Sequence, residues 1–217
     1  MMIQKGDCMR IMSVLLMLLA TTTFAQNVIS LSNPMAAPGT TVNVDLTGPG
    51  GSIAGINFAV QYDPAVLSDP QISVGDLALG SAFDYNVLKD AGLNETGEVR
   101  GIIYKDPVGN FTDATGVIAK ISLKVAASAP TCTATPLQLI KTSSEQFGIS
   151  NTAGVSTTGN YTTQNGSVKV TMAGDFDNNG IVNDDDFAIL CFNYGTPPYD
   201  DDGFANLCFN YGMNCTW

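Results

Sequence analysis

The 217-residue chain is long enough for one or two domains, and with 45% hydrophobic and only 13% charged residues it belongs with packed globular chains rather than disordered ones. Nine Lys and Arg against twenty Asp and Glu give a net charge of −11, which repels phosphate backbones and anionic lipid and so disfavours nucleic acid and membrane surfaces as partners. No histidine occurs, which removes Ser-His-Asp and Cys-His catalysis, histidine–zinc sites and imidazole general bases.

The first element is an export signal over residues 1–25. Arg10 precedes an apolar run from Val14 to Ala20, and Thr23, Phe24 and Ala25 form a small-x-small pattern before Gln26, so cleavage is expected after Ala25 and the mature chain is expected to be extracellular. The run is too short to span a bilayer, and Cys8 lies before it, where it cannot serve as a lipoprotein cysteine. Asp7 fits poorly in a basic leader, so translation from Met1 and from Met9 both stay open. After cleavage Cys132, Cys191, Cys208 and Cys215 remain, and four cysteines allow three disulfide pairings.

Residues 27–171 are rich in Val, Ile, Thr, Gly and Ser, with turn signals between short alternating runs. The clearest strand is 117–125, with Val117, Ala119, Ile121, Leu123 and Val125 expected inward and Lys120, Ser122 and Lys124 outward. Thr41 to Leu46, Ile56 to Tyr62, Val99 to Tyr104 and Gly166 to Val170 read similarly, punctuated at Pro38 and Gly39, at 48–51, and at Asp63 and Pro64. Many short strands and almost no helical periodicity predict an all-β jelly-roll sandwich.

Residues 172–217 differ: they hold eight aspartates and no Lys or Arg. The segments Phe187 to Gly195 and Phe204 to Gly212 are near-identical and seventeen residues apart, an internal duplication. Acidic residues before each copy and a glycine at its end predict two short helices, hence a small all-α module. Ahead of the first copy, residues 175–186 place oxygen side chains at loop positions 1, 3, 5, 9 and 12, glycine at 6 and an apolar residue at 7. A hard cation needs six to eight oxygens, so a loop coiled around it turns alternate side chains inward, and Gly180 permits the sharp turn. The expected Ca2+ ligands are Asp175, Asp177, Asn179, the carbonyl of Ile181, Asn183 and Asp186, with Val182 pointing to the core and Asp184 and Asp185 as solvated charges at a helix start.

The segment from residue 174 to about 212 resembles a dockerin of type I, the duplicated calcium-loop-and-helix module that plugs into cohesin domains of cellulosome-type assemblies. Two departures stand out: residues 196–203 are too short for a second twelve-residue loop, so one calcium site is expected, and Asp184 and Asp185 occupy the place of the family's Ser/Thr recognition pair. The stretches 28–31, 37–44, 53–67, 116–125 and 166–170 follow the order and spacing of a cohesin, whose sandwich is similar to some carbohydrate-binding modules. The two resemblances imply a secreted, non-catalytic adaptor: a cohesin-like sandwich over 27–171 and a dockerin-like module over 172–217, with dockerin- or cohesin-bearing partners, in an assembly that degrades polysaccharide. The alternative they leave is a carbohydrate-binding surface protein anchored by the acidic module.

Other features have plainer readings. Tyr62 and Asp63 fit a strand ending in a buried Tyr and an Asx turn. Phe83, Tyr85, Tyr104, Phe111 and Tyr161 could stack on sugars, though exposed aromatics are ordinary. Asp84, Asp90, Glu95 and Glu98 lie in polar stretches and read as solvated surface rather than a glycosidase pair. Cys191 and Cys208 fit equally a bridge between the duplicated helices and two small buried residues.

Overall fold

A computed structural model of the chain describes residues 27–89, 97–111, 115–141 and 147–217; the expected export signal, Asp90 and Glu95 lie outside these ranges. Among the described residues twelve strands precede two α-helices: β1 Asn27–Leu31, β2 Met35–Ala36, β3 Thr41–Pro49, β4 Gly55–Tyr62, β5 Leu67–Val74, β6 Ala82–Lys89, β7 Gly97–Tyr104, β8 Thr115–Val125, β9 Thr133–Leu139, β10 Phe147–Ser150, β11 Tyr161–Gln164 and β12 Gly166–Val170, then α1 Asp184–Asn193 and α2 Asp201–Asn210. One sheet runs β11-β1-β3-β8-β5; the other runs β2-β12-β9-β4-β7-β6, with β10 also on β4. The architecture is the expected β-sandwich carrying a small helical module.

The sandwich core forms because each strand's alternation turns branched and aromatic side chains to one side. Val44, Leu46, Ile121 and Leu123 of the first sheet meet Ile56, Phe58, Val60, Val99 and Ile103 of the second, all buried. Two inward positions of β7 are glycine for a steric reason. A Cβ on Gly97 would lie 2.4 Å from the Tyr62 ring, and one on Gly101 would lie 2.6 Å from the Phe58 ring, so the aromatics of β4 cross directly over the β7 backbone. Tyr62 ends its strand buried, and the Asp63 carboxylate accepts the Ala65 N–H at 2.8 Å, an Asx turn.

One inward assignment needs correction. Ala119, Ile121, Leu123 and Val125 are buried as the alternation predicts, but Val117 is only half-buried and Ile118 is fully buried instead. The β3–β8 register slips between Leu46 and Thr47, so Leu46 faces Ala119 while Thr47 faces Val117. This bulge leaves one residue unpaired and reverses the parity before Ala119.

In the C-terminal module, α1 begins at Asp184, three residues before the duplicated segment, because Asn183 is its N-cap and Asp186 completes a capping box. The Asp200 side chain caps α2 by accepting from Gly203 N–H. Both helices stop at a tyrosine, Tyr194 or Tyr211, followed by a glycine at positive φ: Gly195 at 103° and Gly212 at 80°. Leu190 and Leu207, equivalent in the two copies, face inward with Met172, Val182 and Cys215. The duplication is also reciprocal in its polar contacts: Tyr194 of the first copy donates to Asp201 at the start of α2, and Tyr211 of the second donates to Asp184 at the start of α1.

Candidate functional site

The loop from Asp175 to Asp186 folds around its own carboxylates. Asp186 is reached by the N–H groups of Phe176 (2.7 Å) and Asp177 (3.2 Å) on one oxygen and of Asn183 (2.9 Å) on the other. Asp175 accepts from Asn179 N–H at 3.1 Å and Gly180 N–H at 2.9 Å. Asp177 accepts from the backbone N–H and side-chain amide of Asn179. The result brings carboxylate oxygens of Asp175, Asp177 and Asp186 within 4.8 Å of one another, with Asp175 1% and Asp186 0% exposed.

The other residues singled out in the sequence take varied places. Gly180 and Val182, on either side of Ile181 in its bridge to Asn214, give their carbonyls to the N–H groups of Cys215 and Gly212. Asn179 Oδ1 accepts from Ile181 N–H at 2.7 Å, and Asn183 Oδ1 accepts from Asp185 N–H at 2.7 Å, so Asn183 serves here as a helix cap. Val182 is fully buried, and Asp184 and Asp185 are exposed. In the second copy Gly203 stands where the first has Asp186, seventeen residues earlier, and a Cβ there would meet the Pro198 carbonyl at 2.0 Å. The position can therefore supply no side-chain oxygen, and the only such acidic cluster among the described residues is the first.

Two buried carboxylates beside a third, in a module without Lys or Arg, are costly unless a cation joins them. Burial pushes the Asp175 carboxyl up to about 6, with Asp177 adding to the rise against the N–H bonds from Gly180 and Asn179. The donor set is all oxygen, which suits a hard divalent ion, so Asp175, Asp177 and Asp186 can hold a metal.

The loop is also fastened to the sandwich. Asn178 Oδ1 accepts the Ala37 N–H at 3.1 Å, and Lys169 lies over the Trp217 ring, 5.4 Å from its centroid. Cys132, at the entry to β9, forms a disulfide with Cys215 across 83 residues of sequence. Cys132 is the one cysteine of 27–171 among the four, so this bridge joins the sandwich to the C-terminal module. Cys191 and Cys208 are neither bridged nor buried, contrary to both expectations: Leu190 and Leu207 take the inward turn of each helix, and the next residue is rotated out to solvent.

The second feature is an outer sheet face. The outer side of β3–β8–β5 carries Thr41, Asn43, Lys120, Lys124, Gln71 and Ser73, all polar. On the other sheet, Ile102 (45% exposed) and Tyr104 (44%) stand on alternate positions of β7. Their outward cross-strand neighbours on β4 are Asn57 and Gly55, and beyond these on β10 lie Gly148 and Ser150. The missing side chains of Gly55 and Gly148 leave a shallow groove of about 260 Å³, walled by Ile102 and Tyr104 on one side and by Gly154, Ser156 and Thr158 on the other. No alternation signal pointed to this groove, because it arises from glycines on strands far apart in sequence.

Of the sugar-stacking candidates, Phe111 and Tyr161 are buried in the core and Phe83 and Tyr104 are exposed, while the side chains of Asp84 and Tyr85 lie outside the described ones. Glu98 is paired with Arg100. No helix among the described residues is long and apolar enough to cross a membrane.

The chain is thus a β-sandwich with one apolar-walled outer face, joined to a small helical module that carries an acidic loop. The sequence model of the cohesin domain family matches residues 28–145, and the chain belongs to that family. Cohesin domains are non-catalytic protein-binding modules, so this is not an enzyme. Solved cohesins share the fold. A cohesin from Clostridium thermocellum, determined in a type I cohesin–dockerin complex, is 18% identical with a TM-score of 0.55, covering 67% of this chain and 99% of its own. The third cohesin of an Acetivibrio cellulolyticus scaffold protein is 20% identical at TM-score 0.53, with coverage of 66% and 98%. A non-cellulosomal cohesin from the archaeon Archaeoglobus fulgidus is 20% identical at TM-score 0.51, with coverage of 68% and 92%. No curated protein matches the chain.

Proposed function

We propose that this chain is a secreted, non-catalytic adaptor whose sandwich receives a dockerin-bearing protein on the outer β4–β7 face, while its C-terminal segment, residues 172–217, is a dockerin-like module loaded with one Ca2+. The observation that carries the first half is the contrast between the two outer faces: Ile102 and Tyr104 border a glycine-floored groove on one sheet, whereas the exposed residues of β3, β8 and β5 on the other include Thr41, Asn43, Lys120, Lys124, Gln71 and Ser73. Apolar and aromatic anchors beside a depression are what a protein partner can desolvate. Several solved relatives of the fold were determined with dockerins bound, which supports the partner class. Export rests on the leader over 1–25 and agrees with the disulfide, which persists in oxidising surroundings.

The calcium half rests on the buried carboxylates. Asp175, Asp177 and Asp186 supply charge, the Ile181 carbonyl a neutral oxygen, and Asn179 and Asn183 the remaining positions of the loop. Bound calcium would neutralise carboxylates that otherwise repel one another.

Affinity of the purified chain for immobilised dockerin proteins, and separately for insoluble cellulose and chitin, tests the reading. Tyr104→Ala together with Ile102→Ala is expected to weaken dockerin binding by at least about tenfold. Retention on polysaccharide with no dockerin binding would replace the adaptor by a glycan-binding protein. Calorimetry with calcium is expected to give a stoichiometry near one; two equivalent sites, or none, would refute the module's assignment.

A further inference from the structure

The metal loop is not self-supporting. Its turn at Asn178 to Gly180 is held from outside by groups that are not ligands. Asn178 is at loop position 4, with φ of 58°, and its side chain leaves the carboxylate cluster to accept the Ala37 N–H of the sandwich at 3.1 Å. Gly180 is gripped on both sides: its N–H donates to Asp175 at 2.9 Å, and its carbonyl accepts from Cys215 N–H at 2.8 Å. Val182 adds two bonds to the same tail, donating to Met213 and accepting from Gly212. Cys215 is in turn bonded to Cys132, whose own N–H donates to Val170 of β12 at 2.7 Å. A continuous path therefore runs from the sandwich through the disulfide to Gly180 and the Asp175 carboxylate.

We propose that Asn178 and Cys215 are positioning residues of the metal loop, and that the Cys132–Cys215 disulfide thereby sets its affinity for calcium; this rests on the calcium reading above. With the bridge in place, a loop whose carboxylates repel one another is kept near its closed shape before the ion arrives, so little ordering remains to oppose binding. Without it, residues 213–217 are held by a few backbone bonds, by the Lys169–Trp217 contact and by a module core of five buried residues, one of which is Cys215 itself. Opening consumes two electrons and two protons from an external dithiol, leaving two thiols and the dithiol's own disulfide. By linkage, calcium must protect the bridge by the same factor by which the bridge strengthens calcium binding.

The test compares calcium titrations of the full chain as the disulfide, after reduction by a dithiol, and as the Cys132→Ser/Cys215→Ser variant. Both unbridged forms are expected to bind about tenfold or more weakly. Asn178→Gly, which tolerates the positive φ but loses the acceptor, is expected to weaken binding, and Asn178→Asp, which keeps the acceptor, to restore it. Because a variant can lose binding by unfolding, the reciprocal measurement uses the wild type alone: saturating calcium is expected to raise the dithiol concentration that half-reduces the chain by the same factor. Equal affinity with and without the bridge, or a half-reduction point indifferent to calcium, overturns the clamp and leaves the calcium site standing. No calcium binding by the oxidised chain overturns both.

Discussion

The sandwich and the C-terminal module meet at Ala37 and Cys132, yet the first is held by a continuous apolar core drawn from both sheets while the second buries five hydrophobic residues, Met172, Val182, Leu190, Leu207 and Cys215. What the module lacks in apolar area it replaces with carboxylates that collect backbone N–H groups, helix caps, a disulfide and a cation-shaped cluster. Small units of this kind commonly depend on a metal or a bridge, because too little surface leaves water on folding. One chain therefore contains a part held by a large apolar core and a part held mainly by polar contacts and a disulfide, and the proposed calcium would act on the second.

The largest effect that separates them is a charge in the sandwich core. Ile121 is fully buried on β8 and Lys120, its neighbour, is exposed. Ile121→Asp is expected to cost about 4 kcal/mol or more through lost packing and an unpaired buried carboxylate, whereas Lys120→Asp should stay within about 0.5 kcal/mol. Denaturation midpoints check this, and equal values for the two variants would contradict the face assignment. In the module the decisive change is polar: Asp186→Ala removes three accepted N–H bonds and one cation ligand. At calcium a hundredfold above its dissociation constant the wild type should gain about 2.7 kcal/mol of module stability, and the variant none. Helical circular dichroism with and without chelator measures it, and a chelator-indifferent wild type would sink the idea.

Calcium-free protein should show the opposite pH response to an ordinary carboxylate pair. Asp175 titrates near 3.8 when unfolded and about 6 in the fold, raised chiefly by burial. A raised folded value means that its contribution to stability is complete below about 3.8 and is lost as pH rises through 6. Without metal, the module should melt at a higher temperature at pH 5 than at pH 7.5, and saturating calcium should reverse the order. A calcium-free melting temperature that climbs from pH 5 to 7.5 would show that Asp175 is not the controlling group.

Both parts were legible where a short rule decides them. β3, β4, β7 and β12 follow from alternation, and the gathering of Asp175, Asp177 and Asp186 follows from their spacing in the loop. Strands with interruptions escaped: β5 contains Pro70 and a register slip between Ser68 and Gln71, with Asp69 at φ of 50°, and β9 contains Pro136. Such residues read as turns locally, and only pairing with β8 or β12 makes them strands. The bulge that exchanges Ile118 for Val117 has the same origin. The groove beside Tyr104 and the pairing of Cys132 with Cys215 depend on segments brought together from distant parts of the chain, which no local pattern encodes.

Cys132, Cys191, Cys208 and Cys215 offer the finest discrimination, because the same residue type plays opposite roles in the two pairs. Removing the bridge with Cys132→Ser and Cys215→Ser should cost about 2–4 kcal/mol, since it frees a loop of 83 residues and unfastens the tail from Gly180. Cys191→Ser with Cys208→Ser should change stability by no more than about 0.5 kcal/mol, because both thiols face solvent one step past the inward Leu190 and Leu207. Phe192 and Phe209, the next residues, are 92% and 85% exposed, so those helix faces pack against nothing that a smaller, more polar side chain could disturb. Thiol counting on the unfolded, unreduced chain checks the assignment independently, with two reactive groups expected in the mature protein. A second bridge, together with a loss of several kcal/mol for the Cys191 and Cys208 variant, would mean that the duplicated helices are cross-linked rather than held by Leu190, Leu207 and the reciprocal tyrosine contacts.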